Sequence, residues 1–458
     1  MGATSHKNGG PVSKRTSGAM AYRCSSCEYR SGRWIGFCPQ CRASGSMTEQ
    51  TPVIAGSLLS AERIDSFTSI DDRHRPTGIE QLDRVLGGGT VPGSAILVGG
   101  EPGVGKSTLL LQVAAAMAES DRPTLVSSAE ESRAQIAMRG SRIGVGARNV
   151  LLTSSSSVDD VIATAEVVLP ALVVVDSIQT VMAGDTDGSA GGVAQVRECG
   201  ARLVAYAKRS GVPVVLVGHV TKEGAIAGPR VLEHMVDVAL YLEGDPRRGL
   251  RLVRGLKNRF GAVNEIGFFE MTETGLVGLS DPARALVDHW DPDVVGTVLF
   301  PSVEGKRPIV VEVQALVATG KSPSPRRSVK GIVPARLHQL LAVLDRHAGL
   351  SLDDRDVYVS VVGGIQLREP GADLPLALAL ASSALDLPVS GVAAWGEVGL
   401  AGELRAVARN GERYREAERL GISTTIGADA DLRTLAEAMQ AVGLSGGTRE
   451  RASMLRAG

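Results

Sequence analysis

Residues 99–112 read "GGEPGVGKSTLLLQ", and this stretch decides the fold. Gly100, Gly105, Lys106 and Ser107 satisfy Gly-x-x-x-x-Gly-Lys-Ser, directly after the apolar run "SAILVGG" and at the start of a helix-like segment. A loop between a strand and a helix N-terminus is an anion site, because unpaired backbone N–H groups and the helix dipole point at it. The segment from Gly100 through Glu101, Pro102, Gly103, Val104 and Gly105 to Lys106, Ser107 and Thr108 reads as the cradle of a nucleoside triphosphate, ATP. Lys106 is placed to reach the β- and γ-phosphates and Ser107 to ligate Mg²⁺.

Working outward, short β-rich runs alternate with helical segments from about residue 76 to 275: "SAILVGG", "PTLVSS", "NVLLTS", "ALVVVDS", "PVVLVGHV", "VALYLEG" and "LRLVRGLKNRF". That alternation predicts an α/β domain with a mostly parallel sheet covered by helices. Asp176 ends the "ALVVVDS" strand, where a carboxylate can hold Mg²⁺. Glu130 and Glu131 end "LVSSAEES", on the edge where open α/β sheets bind ligands. One of them is expected to orient the attacking water, with Glu130 the first choice. His219 ends "VVLVGH" and can sense the γ-phosphate. Residues 296 onward start a second α/β pattern.

The chain has 458 residues, 49 basic against 50 acidic, and 43% hydrophobic residues, enough for two or three domains with their own cores. No apolar run approaches the ~20 residues that span a bilayer. The polar start "MGATSHKNGGPVSKRTSGAM" lacks a secretory core segment, so a cytoplasmic, nucleoid-associated protein is expected. Four of the five cysteines, Cys24, Cys27, Cys38 and Cys41, form C-x₂-C-x₁₀-C-x₂-C, a zinc ligand pattern. Residues 1–50 carry seven Lys or Arg against two Glu, with Arg30, Arg33 and Trp34 between the cysteine pairs. That suits a nucleic acid or a protein partner. The lone Cys199 is expected to be core packing.

Basic segments mark candidate nucleic-acid contacts. "RRGLRLVRGLKNRF" (247–260) has six basic residues and no acid. Lys257 and Arg259 alternate at its end, on one strand face, as a pair that can reach a neighbour's γ-phosphate. "TKEGAIAGPR", after His219, offers Lys222 and Arg230. "KSPSPRRSVKG" (321–331) offers Arg326 and Arg327. A charge run is also compatible with a plain solvated face.

The cysteine module, "GGEPGVGKST", "VVVDSIQT" and "KNRFG", in this order, resemble the bacterial RadA (Sms) family of recombination and repair ATPases, over nearly the whole chain beyond residue 20. The resemblance implies a RecA-like core, a hexameric ring like DnaB-type helicases, and action on single-stranded and branched DNA. It also implies branch migration alongside a RecA-type recombinase. It implies Lys106 as the phosphate-loop lysine, Asp176 as the Mg²⁺ carboxylate, Glu130 as the water-activating acid, and Lys257 and Arg259 as the signature's basic pair. The expected organisation is an arm (1–21), a Cys₄ zinc module (22–50), a linker (51–70), a RecA-like ATPase domain (71–284) and a Lon-protease-like domain (285–458). Lon-type proteolysis uses a Ser–Lys dyad. Here the nucleophile region reads Gly371-Ala372-Asp373-Leu374 and the lysine position falls at Gly411, between Arg409 and Arg413. Arginine is no base at pH 7, so no protease activity is expected. An ATP-dependent protease and a nucleotide-gated DNA-binding regulator stand as the alternatives to a motor.

Overall fold

Runs such as "AILVGG" and "LVVVD" are apolar without alternation, which is the mark of strands covered on both faces. The computed structural model bears this reading out. It describes residues 21–31, 33–50, 63, 74–146, 148–219, 230–244, 249–263, 265–304, 307–320, 324–427 and 432–444. Residues 1–70 and 71–458 form two compact units.

In the first unit, β1 (Ala21–Cys24) pairs antiparallel with β2 (Arg30–Ser31) and β3 (Met47–Gln50). Its buried apolar residues are Cys24, Cys38 and Met47, with Tyr22, Cys27 and Ile35 against them. The expected arm and linker lie outside the described residues, except Ala21 and Arg63.

The second unit begins with α1 (Glu80–Leu86), β4 (Ala95–Gly100), α2 (Lys106–Met117), β5 (Thr124–Ser128), α3 (Arg133–Arg142) and β6 (Val150–Thr153). It continues through α4 (Val158–Val168), β7 (Leu172–Asp176), α5 (Val193–Ser210), β8 (Val214–His219), α6 (Arg230–Met235) and β9 (Val238–Gly244). Strands β10 (Leu250–Asn258), β11 (Ile266–Thr272) and β12 (Gly275–Gly278) complete a nine-stranded sheet of order β12-β11-β10-β9-β4-β8-β7-β5-β6. The strands from β9 to β6 in that order are parallel, and β10, β11 and β12 are antiparallel additions.

Alternate residues of one strand feed opposite layers. Ile96, Val98, Leu172 and Val174 pack with α1 and α2, while Ala95, Leu97, Val173 and Val175 pack with α4 and α5. Helix α5 buries Val196, Cys199, Leu203, Tyr206 and Ala207 at helical spacing. Cys199 is the expected packing residue: its thiol lies 3.5 Å from the Val181 carbonyl oxygen, and burial pushes its pKa up to about 11.

After α7 (Pro282–Val287) come the hairpin β13 (Thr297–Glu304) and β14 (Arg307–Thr319), then β15 (Arg327–Lys330), α8 (Pro334–Ala348), β16 (Arg355–Val361) and α9 (Asp373–Leu385). The remainder is β17 (Val392–Trp395), β18 (Glu397–Val398), β19 (Leu404–Arg405), α10 (Asn410–Arg419), β20 (Thr424–Gly427) and α11 (Leu435–Ala441). These strands build a second sheet, β15-β16-β14-β13-β17-β20, and the small β18–β19 ribbon. The sequence boundary at 284–285 falls within α7, and Leu252, Ile266 and Phe268 of β10 and β11 share a core with β14, α8 and α9. No helix among the described residues is long and apolar enough to cross a membrane.

Candidate nucleotide site and metal centre

Strand β4 delivers the chain to the phosphate loop, and α2 starts at Lys106. Gly105 takes φ 114°, and a Cβ there would lie 2.6 Å from Met271 Cε, so both backbone and packing require glycine. Lys106 Nζ donates to the carbonyl oxygens of Gly100 (2.8 Å) and Glu101 (2.9 Å), so the ammonium is held inside the loop. Burial lowers its pKa, while Asp176 and Glu130 act against that shift.

Five predicted residues gather around the loop at the C-terminal ends of β4, β5, β7 and β8. Ser107 donates a hydrogen bond to Asp176, whose pKa burial raises, with Glu130 and Glu131 adding to the rise and Ser107 opposing it. A serine hydroxyl beside a carboxylate is the hard oxygen donor pair that Mg²⁺ takes, so the residues present fit the ion. Glu130 Oε1 accepts from Ser177 Oγ at 2.5 Å and lies 3.2 Å from His219 Nε2. Glu131 is instead committed to a two-pronged pair with Arg139. The two acids are therefore separated by partner: one faces the loop's carboxylate and lysine, the other is neutralised on α3.

Lys257 and Arg259 sit elsewhere. A bulge between Gly255 and Lys257 breaks the β9–β10 register. Lys257 Nζ donates to the carbonyl oxygens of Glu233 (2.7 Å) and Val236 (2.8 Å) at the end of α6. Arg259 Nη1 lies 3.1 Å from Asp237 Oδ1. Asp237 Oδ2 takes Lys208 Nζ (2.6 Å) and the Ala95 N–H (3.0 Å). Burial pushes Asp237 up, yet these donors hold its pKa below the ordinary carboxylate value. Ala95 begins β4 and Gly100 ends it, so the pair lies about 17 Å of strand away from its own phosphate loop. Ser177 and Asp237 were missed in the sequence reading. Each adjoins a residue or run that was singled out, Ser177 after Asp176 and Asp237 before "VALYLEG".

Of the candidate nucleic-acid residues, Lys222 lies outside the described residues and Arg230 opens α6. Arg326 is exposed, its N–H on Asp356 Oδ1 at 2.7 Å. Arg327 turns inward instead, donating to the carbonyls of Arg355 and Leu352. In the C-terminal domain Asp373 begins α9, buried against Arg336 and accepting the Val398 N–H at 3.0 Å. Ser382 and Ser383 serve the backbone, accepting from the N–H groups of Gly296 (2.8 Å) and Val317 (2.9 Å). Arg413 is buried and paired with Glu369.

The four clustered cysteines place their sulfurs within 4.8 Å of one another, with Cys24–Cys41 at 3.6 Å and Cys27–Cys38 at 3.4 Å. Tetrahedral zinc with ~2.3 Å bonds needs sulfurs about 3.8 Å apart, so the set fits the ion. Both turns have the same build: Glu28 N–H bonds Cys24 O (3.0 Å), Arg42 N–H bonds Cys38 O (2.8 Å), and Glu28 and Arg42 are both left-handed. The Ser46 hydroxyl, 3.2 Å from Cys24 Sγ, helps hold that thiol down at about 6. Since so few apolar residues are buried here, the metal must supply the folding energy. Chelating it should bring the amides of 21–50 to full hydrogen exchange within seconds while those of β4 and β7 stay protected. Protection of 21–50 that survives metal removal, checked by mass spectrometry, would show another source of order.

Comparison with known proteins places these features. Residues 22–49 match the rubredoxin metal binding domain and residues 61–225 the AAA domain. The DNA repair protein RadA of Mycobacterium tuberculosis is 48% identical over 418 residues, covering 88% of this chain and 87% of its own. RadA of Mycolicibacterium smegmatis is 45% identical (88% and 90% covered), and RadA of Bacillus subtilis 42% identical (88% and 91%). Among solved structures, an isolated ATPase domain aligns with 47% of this chain and 95% of its own, at 16% identity and a TM-score of 0.41. With a metal-binding ribbon and an ATPase domain in the relatives' arrangement, and identity at this level across most of its length, the chain belongs to the RadA family of DNA repair proteins.

Proposed function

We propose that the protein is an ATP-driven DNA motor of homologous recombination and repair, acting on single-stranded and branched DNA. The observation that carries this reading is the meeting of Lys106, Ser107, Asp176, Glu130 and His219 at one end of the sheet. Lys106 binds the β- and γ-phosphates. Ser107 and Asp176 hold Mg²⁺, which when bound neutralises phosphate charge. Glu130, held by Ser177 and His219, orients and deprotonates water. His219 touches Glu130 and thereby reports the γ-phosphate to the segment 220–229, which carries Lys222. The names of the relatives support DNA as the partner, as does the exposed basic edge at Arg326 and Lys330.

Lys257 and Arg259 are too far along the sheet to serve their own loop, so we assign them to the γ-phosphate of an adjoining subunit in a hexameric ring. A RecA-type recombinase is the protein partner, and branch migration the outcome. Residues 71–284 then form the ATPase domain and 285–458 a Lon-protease-like scaffold without proteolysis, Asp373 and Arg413 occupying the dyad region as ion-paired structural groups.

The test is ATP turnover with and without single-stranded oligonucleotide at several salt concentrations. Stimulation that weakens as salt rises, and strand displacement on branched DNA that disappears in Lys106→Ala, are the expected results. ATP turnover without oligonucleotide binding at any salt would sink the motor.

A further inference from the structure

We infer that Arg251 is a positioning residue for the triphosphate, acting through the backbone of the phosphate loop; this rests on reading residues 100–108 as the ATP site. Arg251 lies on β10, is buried, and carries its charge across the neighbouring strand to the loop. Its Nε donates to the carbonyl oxygen of Val104 at 2.9 Å, and Nη1 to that of Leu250 at 2.9 Å. The path of the side chain is built in. It crosses Gly244 so closely that a Cβ there would lie 2.3 Å from Arg251 Cδ.

The consequence follows from peptide planarity. In a trans peptide the C=O and N–H point in opposite directions. Holding the Val104 carbonyl on Arg251 therefore aims the Gly105 N–H the other way, into the cradle. Gly105 is left-handed and has no side chain to fix its orientation, so an outside hydrogen bond sets it. A guanidinium bonded to a buried carbonyl is also a strong, charge-assisted contact. It puts a fixed positive charge behind the loop that must meet the anion. Lysine cannot reproduce this, since it lacks the planar fork that spans two carbonyls.

Full-length wild type, Arg251→Ala and Arg251→Lys are compared by binding of Mg-ATP and a fluorescent ATP analogue, by steady-state hydrolysis, and by thermal melting without nucleotide. The expected result is a rise of about tenfold in Kd and KM for both variants, with kcat changed far less. A purely structural arginine would lower the melting temperature and leave Kd and KM alone. Wild-type Kd and KM in both variants overturn the assignment, and if Arg251→Ala does not fold, Arg251→Lys decides alone. Wild type that neither binds nor hydrolyses ATP brings down the phosphate-site reading and this assignment with it. Wild type that binds normally beside unaffected variants removes Arg251 only.

Discussion

Replacing Glu130 by Gln is expected to lower kcat for ATP hydrolysis by about 10²–10⁴-fold, the range for loss of a general base, with little change in ATP affinity. Gln has the same size and its amide oxygen can still accept from Ser177 Oγ, so the fold and the Asp176–Ser107 pair should persist. What is lost is the ability to take a proton. Single-turnover hydrolysis and nucleotide binding separate the two effects. The parallel variant Glu131→Gln breaks the pair with Arg139 on α3 and should cost far less in kcat. The opposite ranking would transfer the role of base to Glu131.

Asp176→Asn carries the second large effect, in two directions at once. Hydrolysis should fall about a hundredfold or more, because the amide is a poor Mg²⁺ ligand and charge neutralisation by the ion is worth several kcal/mol. Without nucleotide the same variant should be more heat-stable than wild type at neutral pH. Burial, then Glu130 and Glu131, raise the Asp176 pKa above its unfolded value of about 3.9. The folded state therefore binds the proton more tightly than the unfolded chain. Its favourable contribution is complete below the unfolded pKa and is lost as pH rises through the folded one. Asn lacks that loss, so the two melting curves should converge toward pH 4 and separate toward pH 8. Melting scans across that interval check the sign, and a variant less stable than wild type at pH 8 would contradict it.

Much of the site was legible because its chemistry is local in sequence. The phosphate loop, Asp176 and the four cysteines are each announced by a short pattern whose physical demand is strict. The strand runs were equally plain, since "AILVGG" and "LVVVD" can only be strands buried on both sides. Legibility failed where partners are far apart in the chain. The choice between Glu130 and Glu131 depends on Arg139 and on Ser177, 47 residues beyond Glu130. Arg251 meets Val104 across 147 residues, and Asp237 meets Ala95 across 142. The run 247–260 looked like a uniform basic patch. In the fold it divides: Arg251 points under the loop, Arg254 meets Glu243, Lys257 caps α6 and Arg259 finds Asp237. Net charge along a strand does not say which neighbour each side chain will meet.

Strands β10 and β11 belong to two cores. Val253 and Phe269 pack beneath the nucleotide-binding half, while Leu252, Ile266 and Phe268 pack with the C-terminal half. Cutting the chain near residue 285 would therefore strip an oily surface bare on both fragments rather than liberate an independent ATPase. The two halves also have no joint at that place about which to swing. Work drawn from the nucleotide has to leave such a stiff block at its rim, as a tilt against whatever stands beside it.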